Sequence, residues 1–123
     1  MIKLIRCIRR NPNISKDEFR NYWTGDERLR HVQQLITHAQ VFKVTQNLTL
    51  DISFNEQMRE EQGCEEEPYD AIMEIWWENY DIMNNALNGE ELVKMRGQLE
   101  RIDKDFIDTR SSPMFFIDEQ IIG

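Results

Sequence analysis

Twice along this 123-residue chain, a stretch of alternating polarity is followed by one of helical periodicity and then by a second alternating stretch. Residues 2 to 9 place Ile2, Leu4, Arg6 and Ile8 on one face of a strand and Lys3, Ile5, Cys7 and Arg9 on the other. Asn11-Pro12-Asn13 breaks the strand, and Ser15 with Glu18 forms a capping box ahead of Phe19, Tyr22 and Trp23. Thr24-Gly25 interrupts this helix. Thr24 with Glu27 reads as a second capping box, and Leu29, Val32, Leu35 and Ile36 carry helical spacing to about residue 37. Residues 39 to 48, with Val41, Phe42, Val44, Thr45 and Leu48, suit a second strand.

The second half repeats this order. In the strand from Tyr69 to Trp77, residues Tyr69, Ala71, Met73, Ile75 and Trp77 face one way and Asp70, Ile72, Glu74 and Trp76 the other. A short helix with Ile82, Met83, Ala86 and Leu87 ends at Asn88-Gly89. A longer one carries Leu92, Met95, Leu99, Ile102 and Phe106 on a single stripe. Ser111-Ser112-Pro113 then leads into a last strand over residues 114 to 122. The halves are joined by an acidic surface connection, residues 51 to 68, with room for one helical turn near residues 55 to 61.

The order βαβ–βαβ predicts an α+β fold, the ferredoxin-like split βαβ arrangement. In it, right-handed crossovers lay the helices on one face of a four-stranded antiparallel sheet. One domain spanning 1–123 accounts for the length. The first, third and fourth strands carry apolar residues on both faces, so the helix-free face needs a cover. The same face of a second copy supplies it, giving a homodimer of the α+β barrel type.

Composition narrows the function. The net charge is −8, with +5 over residues 1 to 50 and −13 over the rest, and a chain so acidic is a poor partner for nucleic acid phosphates. The two unlike halves either attract one another, within a subunit or across a dimer, or are simply solvated faces. The longest apolar run is Met114 to Ile117, too short to span a bilayer, and Lys3, Arg6, Arg9 and Arg10 interrupt any signal-like segment. A cytoplasmic protein without a membrane partner is expected. Two glycosylation tripeptides, at Asn13 and Asn47, are then chance matches. Cys7 and Cys64 stand apart from each other and from ligand-spaced histidines, and five scattered glycines form no phosphate loop. The expected cofactor complement is none: no metal, haem, flavin or nicotinamide.

Four segments together resemble the EthD domain family. They are the opening Met1-Ile2-Lys3-Leu4, Asp17 to Trp23, Tyr69 to Trp77, and Asp105 to Asp108 continuing through Ser111 to Phe116. The resemblance implies a dimeric α+β barrel of two ferredoxin-like subunits. It also implies a small enzyme, often called an oxidoreductase, of a family associated with ether degradation and with polyketide or quinone processing. Family members place a histidine four residues after the Tyr-Trp pair and a proline two further on; Glu27 and Leu29 stand at those positions here.

Two functions are therefore in view. One is a cofactor-independent enzyme of oxidoreductase or lyase/cyclase type, acting on a small hydrophobic, oxygen-bearing or aromatic molecule. The other is a noncatalytic ligand-binding or stress-associated dimeric barrel. If the chain is an enzyme, Glu27 and His31, one helical turn apart, are the expected catalytic pair, a carboxylate orienting an imidazole in place of the family histidine. Otherwise they are an exposed helix pair. Tyr22, Trp23 and Trp76 either line an aromatic substrate cleft or pack a core, and Trp76 and Trp77 must point to opposite faces. Arg6 and Glu74, charges set in apolar strand faces, are expected as a buried pair or as a polar anchor for substrate. His38, at a helix end, is expected in solvent.

Overall fold

The computed structural model describes all 123 residues. Strand β1 (Ile2–Ile8) is followed by helices α1 (Lys16–Trp23) and α2 (Asp26–His38) and by β2 (Lys43–Leu48). Helix α3 (Ser53–Gln62) leads to β3 (Ala71–Trp77), α4 (Tyr80–Leu87), α5 (Glu90–Asp103), a 3-10 turn at Thr109–Ser111 and β4 (Met114–Asp118). The sheet order is β2-β3-β1-β4 with every neighbouring pair antiparallel, the ferredoxin-like topology expected of the doubled pattern.

Antiparallel partners share a face, so the register sorts the side chains. Arg6 lies opposite Met73 and Met114, and Leu4 opposite Ile75 and Phe116. These residues, with Ile8, Ala71, Trp77, Val44, Gln46 and Leu48, form the side toward the helices. Lys3, Ile5, Cys7, Ile72, Glu74, Trp76, Phe115 and Ile117 form the opposite side. The main core joins Ile8, Ala71 and Met73 of the sheet to Phe19 and Trp23 of α1, Val32 of α2 and Leu99 of α5. A smaller cluster of Leu4, Trp77 and Met83 seats α4, and the Trp77 indole N–H donates to the Ala39 carbonyl at 2.8 Å.

Ser15 caps α1 as its sequence suggests, accepting from the Glu18 backbone N–H at 3.0 Å. The second capping box does not form. Thr24 is still helical (φ −93°, ψ 0°), its backbone N–H reaching the Arg20 carbonyl, and its hydroxyl donates to that same oxygen at 2.8 Å. It therefore closes α1, and the extended residue that opens α2 is Gly25. The second strand starts at Lys43 rather than residue 39, because Ala39 ends α2 and Gln40 turns the chain with φ 51°. The acidic connection holds a ten-residue helix with no buried side chain, where the sequence suggested one turn. The last strand stops at Asp118, leaving Ile121 and Ile122 exposed.

Candidate active site between the helices and the sheet

Three polar residues interrupt the apolar stripes that build the core. On α2, Arg28 precedes Val32 by one turn; on α5, Asp103 follows Leu99 by one turn; on β2, Gln46 lies between Val44 and Leu48. Packing α2 against α5 over the sheet brings them together. Arg28 is fully buried and Asp103 is 4% exposed. The Arg28 Nε–H donates to Asp103 Oδ1 at 3.1 Å, and its Nη1 donates to Gln46 Oε1 at 2.5 Å. Gln46 Nε2 in turn donates to the Trp23 carbonyl at 2.9 Å. The guanidinium also stacks on the Trp23 ring, 3.7 Å from its centroid.

Tyr22 completes the network. Its hydroxyl donates to the same Asp103 oxygen, and its ring stacks on Phe106 at 3.8 Å, nearly parallel. Burial first, and then the hydrogen bond to Asp103, push the phenol far above its ordinary pKa. It stays neutral, its one hydrogen given to the carboxylate. Two buried N–H donors, Arg28 Nη2 and Trp23 Nε1, have no partner. Such orphans are rare in a settled core and mark a place where a polar atom fits.

Arg6 reaches the same layer from β1. It is half-buried, its side chain makes no hydrogen bond or ion pair, and the charges that act on it are those of Asp103, Arg28 and Glu100. Burial draws its pKa down, opposed by the Asp103 charge and reinforced by that of Arg28. Beside it on β4, Met114 and Phe116 face the helices yet are 59% and 48% exposed, so this edge of the layer is open to solvent.

The expected residues divide between three places. Tyr22, Trp23 and Arg6 lie in the layer between the helices and the sheet. Glu74 and Trp76 are on the opposite side of the sheet, and Arg6 and Glu74 cannot pair because the register aligns Glu74 with Ile5 and Arg6 with Met73. Glu74 instead holds Lys3 at 3.2 Å and accepts from the Thr45 hydroxyl, while the Trp76 indole N–H donates to Glu119 at 3.2 Å. Lys3 lies 4.6 Å from the Trp76 ring centroid and Lys43 lies 5.0 Å from it. Glu27 and His31 border a shallow polar depression with Arg30 and Gln34, all four residues on α2. The pair stands outside the cleft because α2 turns Arg28 and Val32 inward, leaving Glu27 exposed and His31 half-buried. His38 is exposed, as expected, and its ring meets only the Gln34 carbonyl one turn back.

A cleft lies beyond the other end of β1, and three of its four cations already have partners while Arg20 has none. Arg9 meets Glu66 and stacks on Tyr69, Arg10 meets Asp70, and Lys16 meets Asp51. Nowhere do three His, Cys, Asp or Glu side chains converge as a ligand set. Cys7 is buried, which pushes its thiol pKa up, and Cys64 is exposed; neither forms a disulfide.

Solved structures share this architecture. An EthD family protein from Bacillus halodurans superposes with a TM-score of 0.62 at 11% identity, covering 98% of this chain and 99% of its own. A dimeric protein of unknown function with a ferredoxin-like fold, from Bacteroides fragilis, gives 0.59 at 11% identity, covering 96% and 95%. SnoaB, a cofactor-independent oxygenase from Streptomyces nogalater, gives 0.57 at 9% identity, covering 98% and 94%. At these identities the likeness is one of fold. No curated protein sequence matches the chain. The EthD domain model matches residues 11–105, a span that holds Tyr22, Trp23, Arg28, Gln46 and Asp103 of the buried network, and the chain therefore belongs to the EthD family.

Proposed function

We propose that this protein is a small cofactor-independent enzyme, of oxidoreductase or lyase/cyclase type, that acts on a hydrophobic oxygen-bearing or aromatic substrate in the cleft between α2, α5 and the sheet. The carrying observation is the buried Arg28–Asp103–Tyr22 network. A buried ion pair contributes little net stability against well-packed apolar residues, which leaves this network free to serve chemistry. Membership of the EthD family and the fold shared with a cofactor-independent oxygenase support the same reading.

In this reading Tyr22 meets the substrate. Its hydroxyl oxygen takes a proton from a substrate hydroxyl as its own hydrogen passes to Asp103, and Arg28 positions Asp103. The working form is a homodimer closed through the helix-free sheet face, where Ile5, Ile72, Phe115 and Ile117 sit together without a cover.

The test is oxygen uptake and product mass spectrometry with a panel of naphthols, hydroquinones and anthrones. Turnover by the purified protein, with Tyr22→Phe lowering kcat about a hundredfold while KM changes little, is the expected result. Binding of these compounds without turnover by any of them would identify a ligand-binding barrel instead.

A further inference from the structure

Helix α3 is the one α-helix of the fold that gives the core nothing. None of its side chains is buried, and the hydrogen bonds and ion pairs they make stay within the connection between β2 and β3. Asn55 donates to the Leu50 carbonyl at 2.7 Å and Gln57 to Glu61 at 3.3 Å, while Arg59 pairs with Glu56 at 3.0 Å and with Glu67 at 3.2 Å. The ion pairs that tie this connection to the body, Lys16 with Asp51 and Arg9 with Glu66, lie outside the helix. A helix of ten residues is marginal in water by itself and ordinarily owes its stability to an apolar face packed on something.

The side chains for such a face are present and uncovered. Leu50, Ile52, Phe54 and Met58, four large hydrophobic residues close together in the chain, are 46% to 66% exposed. Phe54 and Met58 are one turn apart on a stripe of α3 that Glu61 continues, while Asn55 and Arg59 are half-buried on another side. This patch is set in strong negative charge. Residues 51 to 68 carry seven carboxylates against the single cation Arg59, and Glu60, Glu61 and Glu65 are exposed and in no ion pair. An exposed apolar patch rimmed by charge marks an interaction surface, and the sign of the charge selects what covers it. A second copy of this chain bears the same net −8, and anionic lipid headgroups are repelled in the same way.

We propose that the α3 connection is a docking site for a basic amphipathic helix of another protein. The apolar stripe of that helix packs on Phe54, Met58, Ile52 and Leu50, and the lysines or arginines beside its stripe meet Glu61 and the neighbouring glutamates. Apolar burial supplies the affinity, and the paired charges fix orientation and select the partner. The surface is separate from the Arg28–Asp103 network and does not depend on the reaction proposed for it.

The experiment titrates the purified full-length protein into a fluorescein-labelled peptide of leucine and lysine, about five helical turns long with leucine at helical spacing, and follows anisotropy at physiological salt. One control peptide has the same composition scrambled so that no stripe forms, and another has glutamate in place of lysine. Expected are micromolar binding of the basic amphipathic peptide, binding about tenfold or more weaker for either control, and a loss of about tenfold or more in the double variant Phe54→Ser with Met58→Ser. Glu61→Gln with Glu65→Gln should weaken binding and flatten its dependence on salt. In the wild type, the peptide should slow hydrogen exchange at the α3 amides and leave the amides of β1 and β3 as they were, a readout that needs no variant to fold. Equal binding of the scrambled peptide, or affinity unchanged in Phe54→Ser with Met58→Ser, reduces the effect to charge attraction and overturns the proposal. Binding of no peptide overturns it as well. If the double variant turns a wild-type dimer into a monomer by light scattering, a second copy covers the patch and the proposal fails. Sedimentation of the wild type, but not of the double variant, with phosphatidylcholine vesicles assigns the patch to lipid and overturns it too.

Discussion

A buried ion pair depends on both partners more than it stabilises the fold. With Arg28 wholly out of solvent, Asp103→Asn leaves its charge unanswered, and the protein should lose about 3–5 kcal/mol, read as a lower urea midpoint. Tyr22→Phe removes one donor to the same oxygen and should lose less, about 1.5–3 kcal/mol. The raised Tyr22 pKa gives a second handle. The folded state holds that proton more tightly than the unfolded chain, so this contribution is complete below the unfolded phenol value near 10 and is lost as pH rises beyond it. Urea midpoints measured from pH 8 to 11 should fall more steeply for the wild type than for Tyr22→Phe. The sequence did carry a signal for these residues. Arg28, Asp103, Gln46 and Arg6 each occupy a position that the helical or strand period assigns to the core. They are the polar exceptions within those stripes, whereas Glu27 and His31 have a chemically sensible spacing on the outer face of α2.

At the scale of elements, the junction between α1 and α2 sets the geometry of the cleft. Trp23 ends one helix and Arg28 sits in the first turns of the next, and they stack only because the chain turns tightly at Gly25. A Cβ at Gly25 would stand 2.9 Å from the Asn21 carbonyl oxygen and 3.3 Å from that of Tyr22, both backbone atoms. Gly25→Ala should therefore spread the junction, destabilising the protein by about 1–3 kcal/mol in urea denaturation and weakening turnover of the aromatic panel together with it. Helix α3 is the opposite case. It has no buried residue, so its amides should exchange with solvent long before those of β1 and β3 in a hydrogen-exchange experiment. The periodicity of β1, β3 and α5 was plain in the sequence because each must bury a face. The α3 helix was less so, since it answers only to its own local hydrogen bonds and its Gly63 terminus in the left-handed conformation (φ 69°).

Across the whole molecule, the charge imbalance between the two halves of the chain is used within one subunit. Lys3 meets Glu74 and Glu119, Arg9 meets Glu66, Arg10 meets Asp70, Lys16 meets Asp51 and Arg28 meets Asp103, each joining a cation from the first fifty residues to an anion from the rest. The exposed pairs contribute little singly, but none of them needs a partner chain. Charge is therefore not what would hold two copies together. The helix-free sheet face has the apolar material for that, with Phe115 48% exposed on the edge strand and Ile5, Ile72 and Ile117 beside it. A patch of this kind marks an interface or an aggregation hazard. Light scattering during size exclusion at micromolar concentration should give twice the 14.8 kDa chain mass, unchanged in 1 M salt because apolar contact dominates. Phe115→Glu with Ile117→Glu should yield a monomer by the same measurement, since four like charges would then be brought together across a two-fold axis. Both side chains point away from the Arg28–Asp103 network, so the monomer should keep activity on the aromatic panel if the site belongs to a single subunit. A soluble wild-type monomer would remove the barrel and leave the cleft standing alone.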